Sequence, residues 1–332
     1  MERLVTLQDV YAARRTLAPW VQRTPLVRSP ELSKRTGGSV FLKLETVHET
    51  GAFKIRGATN AILQLGEEQR SKGVVTVSTG NHGRAVATAA KRLGVRAVVC
   101  MSKLVPENKV RAIRELGAEV HIVGKSQDDA QLEADRLVAE EGLALIPPFD
   151  HPHVVAGQGV IGLELLEDLP ELDCALVPLS GGGLIAGLAV ALKTASPYIR
   201  VIGISMERGP AMYHSIQAGK PVQVEEQESL ADSLGGGIGL NNQYTFPIVR
   251  DYVDDIVLLK EEQIARGMVH LYRQEQIVAE GAAAVGVSVL LDDLVKPLGS
   301  HVAVIVTGRN VDMDMFTRVV TGEYQISPSP PL

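Results

Sequence analysis

Seven short runs rich in β-branched residues punctuate the chain, each separated from the next by a segment long enough for a helix, and this alternation constrains the fold more than any other feature. The runs are VFLKLE (40–45), GVVTVS (73–78), RAVVCM (96–101), AEVHIV (118–123), CALVPL (174–179), RVIGIS (200–205) and HVAVIV (301–306). Nearly continuous apolar strands are buried on both faces, and the helices between them supply the crossovers that parallel pairing needs. The intervening segments agree, since NHGRAVATAAKRLG and PENKVRAIRELGAE carry apolar residues at helical spacing and run into glycine. The pattern predicts an α/β protein built on open parallel sheets.

At 332 residues the chain exceeds the ~250–300 at which a single core usually stops growing, so two units are expected. Residues 47–149 hold a complete strand-helix series, which PPFDHPHVVAGQG (147–159) interrupts with a proline pair and a dense turn. The predicted organisation is a small α/β domain, 47–149, inserted into a larger domain formed by 1–46 and 150–325. The tail QISPSPPL has no apolar periodicity, and 326–332 are predicted to be mobile.

Lys+Arg total 33 against 39 Asp+Glu, with no basic run, which argues against a nucleic-acid partner. MERLVTLQDVYAARRTL lacks the apolar core of a signal peptide, and no stretch reaches ~18 uncharged apolar residues, so no membrane association is expected. Cys100 and Cys174 both lie in strand-like apolar runs. They read as buried thiols, consistent with a reducing, cytoplasmic compartment.

Ligands of open parallel sheets bind beyond the carboxyl ends of the strands, so the strand-to-helix loops are where chemistry is expected. CALVPLSGGGLIAGLAVALK passes from a strand through Ser180, Gly181, Gly182 and Gly183 into a helix. That is either a structural glycine turn or an anion cradle, in which backbone N–H groups approach a phosphate closely because no Cβ intervenes. Neither a P-loop nor a clean dinucleotide fingerprint is present, which turns attention to a phosphate outside a nucleotide. GVVTVSTGNHGRAVATAAKRLG places Ser78, Thr79, Asn81 and His82 at a helix start. A hydroxyl there can be an ordinary helix cap, but four polar side chains in five positions also suit a carboxylate-binding nest. In HVAVIVTGRNVDM, Thr307 and Asn310 follow a strand. Each has a local reading, a backbone hydrogen bond for Thr307 and a cap on the final helix for Asn310.

Lys54 sits in ETGAFKIRGA, after Gly51, which offers slack to the chain, and beside Phe53. A lone lysine is by default a solvated one. Combined with a phosphate cradle, a carboxylate nest and a hydroxyl at another strand end, it supplies what an enzyme holding pyridoxal 5′-phosphate as a Schiff base requires.

ETGAFKIRGA, STGNHGRA, LSGGGLIAG, SLADSLGGGIG, EGAAAVG and VTGRNVDM occur in the order found in fold-type II pyridoxal-phosphate enzymes. The chain resembles the threonine dehydratase and serine racemase family over roughly residues 5–320. Within it, CMSKLVPENKVRAIRELGAE, FDHPHVVAGQG and GISMERGPAM are most similar to hydroxyectoine-utilisation dehydratases. The resemblance implies two open parallel-sheet domains of the tryptophan-synthase-β-like type, the larger binding the cofactor, and a homodimer. It implies that Lys54 carries the cofactor, Phe53 packs on its ring, Asn81 bonds its phenolic oxygen, Ser180 and Gly181 to Gly183 cradle its phosphate, and Thr307 faces its pyridine nitrogen. Gly236, within a second glycine loop, and Glu280, which opens EGAAAVG, are placed near the cofactor, with a plain turn and a surface helix cap as their alternatives. Ser78, Thr79, Asn81 and His82 would surround the carboxylate of a small amino-acid substrate.

The implied reaction is dehydration and deamination of a β-hydroxy-α-amino acid, such as threonine, serine or a hydroxyectoine-derived hydroxy-diamino acid, to a 2-oxo acid and ammonia. Lys54 would act as the Cα base. Thr79 keeps the hydroxyl that racemising relatives use as acid and base on the opposite face, which leaves a serine- or aspartate-type racemase and a 3-hydroxyaspartate dehydratase as alternatives. An NAD-linked oxidoreductase is supported only by the α/β pattern. Relatives that bind a divalent ion use a Glu and an Asp after the strand ending at Ser205; here only Glu207 is offered, and His151 and His153 lack a third ligand, so no metal is expected. Arg56 reads as a structural charge.

Overall fold

The computed structural model describes residues 4–78, 80–105 and 107–325. Thr79 and the 326–332 tail lie outside the described residues. In chain order the strands are β1 (Leu26–Ser29), β2 (Ser39–Leu44), β3 (Val74–Val77), β4 (Ala97–Met101), β5 (Glu119–Ile122), β6 (Ala144–Leu145), β7 (Cys174–Pro178), β8 (Arg200–Met206), β9 (Asp255–Leu259) and β10 (His301–Val306). They form a six-stranded sheet, β1-β2-β10-β7-β8-β9, and a four-stranded sheet, β5-β4-β3-β6.

As expected of open parallel sheets, every pairing among the described strands is parallel except that of the edge strand β1 with β2, which is antiparallel. Residues 30–38 join those two strands, too short a link for the crossover of a dozen or more residues that parallel pairing demands. The strands β1, β6 and β9 are not among the seven runs. β6 has two residues, β1 exposes its middle pair, and β9 is a half-buried edge.

In the larger sheet successive residues alternate between two cores. Ala175, Val177, Ala303 and Ile305 enter one, while Cys174, Leu176, Val302, Val304 and Val306 enter the other. Both faces are therefore covered, as continuous apolar strands predict. Cys100 and Cys174 are buried and unpaired. No helix among the described residues is long and apolar enough to cross a membrane.

Six helices position the site: α1 (Lys54–Leu63), α2 (Asn81–Leu93), α3 (Pro152–Asp168), α4 (Gly183–Ala195), α5 (Thr245–Tyr252) and α6 (Gly281–Leu291). Glycine lets α3 approach two neighbours at backbone distance. A Cβ on Gly157 would lie 2.8 Å from Gly57 Cα in α1, and one on Gly187 in α4 would lie 2.3 Å from the Val155 carbonyl oxygen. The helix that begins with Lys54 is thereby held against the helix that packs on the glycine-loop helix.

Candidate active site

Lys54 is the first residue of α1, and its position is set by the loop before it. The Phe53 N–H donates to the Thr307 carbonyl at 3.0 Å, the Arg309 N–H donates to the Gly51 carbonyl at 2.9 Å, and Ala52 bridges Gly308. Gly51 does more than give slack. Its φ of +74° is left-handed, and a Cβ there would sit 2.5 Å from Asn310 Oδ1. The stretch around Lys54 is thus zipped onto the end of β10.

The Lys54 amine is half-buried, lies 5.3 Å from the centroid of the Phe53 ring, and donates to the Pro148 carbonyl at 2.7 Å. Burial pulls its pKa down to about 8, against the opposing pull of the Glu280 carboxylate. Glu280 is buried, and desolvation, reinforced by Asp232, pushes its pKa up to about 7 despite bonds from Asn81 and the Asn310 backbone and the nearby Lys54 charge. It precedes α6 but makes no side-chain cap there, so the surface-cap reading does not hold.

Asn81 opens α2 and donates through Nδ2 to both Glu280 oxygens, at 2.9 and 3.1 Å. Asn310 Nδ2 in turn donates to Asn81 Oδ1 at 2.6 Å and to the Thr50 carbonyl at 2.7 Å. Asn310 therefore fixes which way the Asn81 amide points. The final helix is capped instead by Asp312, whose side chain accepts from the Met315 N–H. This role of Asn310 was beyond sequence reasoning, because its partner lies more than 200 positions away.

His82 is buried, and its Nε2 lies 2.9 Å from the Ile146 carbonyl, a contact that only an N–H can make. Burial, then the Lys54 charge, drives its pKa down to about 3, so the ring is neutral and Nδ1 is a bare acceptor without a partner. A carboxylate cannot take a ring N–H from it. What His82 offers a carboxylate is its main-chain N–H at the helix start. Capping does not explain Ser78 either, because Gly80 occupies the cap position of α2 and no side chain among the described residues caps that helix.

The second helix start is that of α4. Gly182 caps it with φ +89°, again without a side-chain bond, so its first N–H groups have no side-chain acceptor among the described residues. Gly181, Gly182 and Gly183 are buried, Ser180 is partly exposed, and Gly181 is packed on the Phe149 ring. Gly236 has φ +91°, with nothing within 4 Å of where its Cβ would be. Thr307, 3% exposed, directly follows β10, next to the loop that carries Lys54. An amine whose neutral form burial makes accessible near neutral pH, for a carbonyl, two helix starts without a side-chain cap, for anions, and a buried hydroxyl fit pyridoxal phosphate.

Arg56 is confirmed as structural. Its guanidinium is enclosed and bonds Glu45 at 2.8 and 2.9 Å and Glu164 at 2.7 and 2.9 Å, while Lys43 reaches Glu164 at 2.6 Å. Against the penalty of burial, Glu45 and then Glu164 keep the Arg56 pKa raised. Two cations and two anions thus fasten α1 to β2, to the turn after it and to α3.

Residues 17–308 match the family model described as "Pyridoxal-phosphate dependent enzyme". The chain is 54% identical over 318 residues to a putative threonine dehydratase of Sinorhizobium fredii, covering 96% of both chains. It is 43% identical over 318 residues to an L-threonine ammonia-lyase of Thermotoga maritima, covering 96% of this chain and 78% of that one. The solved structure of maize serine racemase has a TM-score of 0.90 at 34% identity, covering 96% of this chain and 98% of that one. A family match of this length, joined by such relatives along nearly the whole chain, establishes that the protein belongs to the pyridoxal-phosphate-dependent enzymes.

Proposed function

We propose that the protein is an ammonia-lyase that removes the β-hydroxyl of a β-hydroxy-α-amino acid and yields a 2-oxo acid and ammonia. The observation that carries this reading is the Lys54 amine, half-buried at a helix start and shifted by burial to a pKa of about 8. Lys54 would hold the cofactor covalently over Phe53, with its phosphate at Ser180 to Gly183, its ring hydroxyl at Asn81, its ring nitrogen at Thr307, and Gly236 and Glu280 alongside. When bound, pyridoxal phosphate supplies an electron sink for the charge that develops at Cα.

The chain's own residues do the rest. The main-chain N–H groups at the start of α2, with Ser78, Thr79, Asn81 and His82 around them, bind the substrate carboxylate. Lys54, once neutral, accepts the Cα proton on Nζ. The β-hydroxyl departs with a proton as water, and the unsaturated amine left behind takes up water to give the 2-oxo acid and ammonia. A hydroxyl at Thr307, rather than a carboxylate, would offer the ring nitrogen no anion to hold a proton, a setting that would suit loss of the β-substituent over transamination.

Relatives named for threonine dehydration and threonine ammonia-lyase activity support threonine as a substrate. The FDHPHVVAGQG and GISMERGPAM segments support a hydroxyectoine-derived hydroxy-diamino acid as a second. Likeness to maize serine racemase favours racemisation as a side activity, with Thr79 as the group on the opposite face. We also infer a cytoplasmic homodimer. For the division into 47–149 and the remainder, the support is that the smaller sheet's strands all fall between 74 and 145.

The test is incubation of the purified enzyme with threonine, serine, 3-hydroxyaspartate and 3-hydroxy-2,4-diaminobutyrate, following ammonia, 2-oxo acid and enantiomer exchange. Lys54→Ala should abolish both turnover and the lysine–cofactor adduct trapped by borohydride. Persistence of either would sink the assignment.

A further inference from the structure

The glycine loop at 181–183 is gripped by two segments far from it in sequence. A Cβ on Gly181 would lie 2.3 Å from the Phe149 ring, and one on Gly183 would lie 2.9 Å from Phe149 Cα. On the other side, a Cβ on Gly182 would lie 3.1 Å from Thr245 Cβ and 3.2 Å from Val249 Cγ2, in the first turns of α5. Phe149 is one jaw and the start of α5 is the other.

A single side chain joins the jaws. The Asp150 carboxylate accepts three consecutive main-chain N–H groups, from Gln243 at 2.7 Å, Tyr244 at 2.8 Å and Thr245 at 2.9 Å. These are charge-assisted bonds at a helix start, where a carboxylate is also favoured by the aligned peptide dipoles. Two residues before Asp150, the Pro148 carbonyl holds the Lys54 amine. Three successive residues therefore set the lysine, the glycine loop and α5 relative to one another. Asp150 also decides where an incoming anion can go. It takes the Thr245 N–H, the first of α5, while Asn242 takes that of Phe246, which leaves those of α4 as the open helix start beside Gly182.

We propose that Asp150 is a positioning residue for the phosphate cradle: by bolting the Phe149 turn to the start of α5, it holds the main chain of 181–183 in the shape that an anionic phosphate requires. This rests on the reading of 180–183 as the cofactor's phosphate site. In Asp150→Asn the amide nitrogen cannot accept, so one of the three N–H groups loses its partner and the charge is lost.

The test compares wild type, Asp150→Asn and Asn242→Ala as apoenzymes, measuring pyridoxal phosphate affinity by titration and hydrogen exchange over 180–186. Asn242 caps the same helix, accepting the Phe246 N–H at 2.7 Å and donating to Thr245 Oγ1 at 2.7 Å, but makes no bond to the Phe149 turn. Asp150→Asn should raise the dissociation constant about ten-fold or more and speed exchange in 180–186, while kcat at saturating cofactor falls by less than about three-fold. Asn242→Ala should leave affinity and exchange near wild type. A wild-type dissociation constant in Asp150→Asn, or an equal loss in Asn242→Ala, overturns the proposal. Should Asp150→Asn not fold, Phe149→Leu, which thins the jaw on Gly181, should raise the dissociation constant likewise, and an unchanged value overturns it. Failure of the wild-type apoenzyme to bind the cofactor at all would overturn the phosphate reading itself, and this proposal with it.

Discussion

Removing the cofactor and varying pH exposes the protonation state of Lys54 directly. An ordinary lysine titrates near 10.4, so at pH 7 only about 0.04% of it is the free amine. With its pKa brought down to about 8 by burial, about 10% of Lys54 is neutral at pH 7, a gain of roughly 250-fold in the reactive form. Glu280 opposes this shift, so Glu280→Gln should lower the Lys54 pKa further. The assay is competitive labelling of the apoenzyme with acetic anhydride between pH 6 and 11, quantified peptide by peptide by mass spectrometry. The Lys54 peptide should reach half-maximal labelling near pH 8, about two units below peptides carrying solvated lysines. In Glu280→Gln the midpoint should move lower still. A Lys54 midpoint near 10, or one that rises in Glu280→Gln, would refute the view that burial prepares this amine to act as a base.

Three further outcomes are expected. Because the folded-state pKa of Glu280 is raised to about 7 from an unfolded value near 4.5, its contribution is fully present below pH 4.5 and is lost as pH rises through 7; relative to Glu280→Gln, the wild-type apoenzyme should lose about 2–3 kcal/mol in urea unfolding between pH 5 and 8. A difference that is constant with pH would contradict the shift. Arg56→Met leaves Glu45 with only the Thr24 hydroxyl and His48, and Glu164 with Lys43 alone, and should cost about 3–5 kcal/mol by the same measurement; a loss under about 1 kcal/mol would show that the buried ion pairs do not fasten α1. Gly51→Ala meets both a left-handed φ and Asn310, and should destabilise by about 1–2 kcal/mol or more, while an unchanged midpoint would show that Asn310 yields freely.

How much was legible in the chain follows from the range of the forces involved. The strands β2, β3, β4, β7, β8 and β10 each correspond to one apolar run, because burial leaves a continuous signature in the residues themselves, and the less buried β5 corresponds to AEVHIV. The glycine loop and Lys54 were equally visible, since a phosphate cradle needs absent side chains and an imine needs an amine, and both requirements are written as residue types. Three of the four edge strands, β1, β6 and β9, escaped, because a short or half-buried strand such as β1 needs little apolar surface. Asn310, Phe149 and Asp150 escaped for another reason. Their partners, Asn81, Gly181 and the 243–245 backbone, are set by which loops meet at the ends of the strands, and short-range contacts between distant segments leave no local pattern. The sequence by itself determined the strand-helix alternation and the groups available for chemistry. Only the tertiary structure decided the state of those groups: desolvation lowers the pKa of Lys54 and raises that of Glu280, and one carbonyl oxygen, that of Ile146, commits the His82 ring.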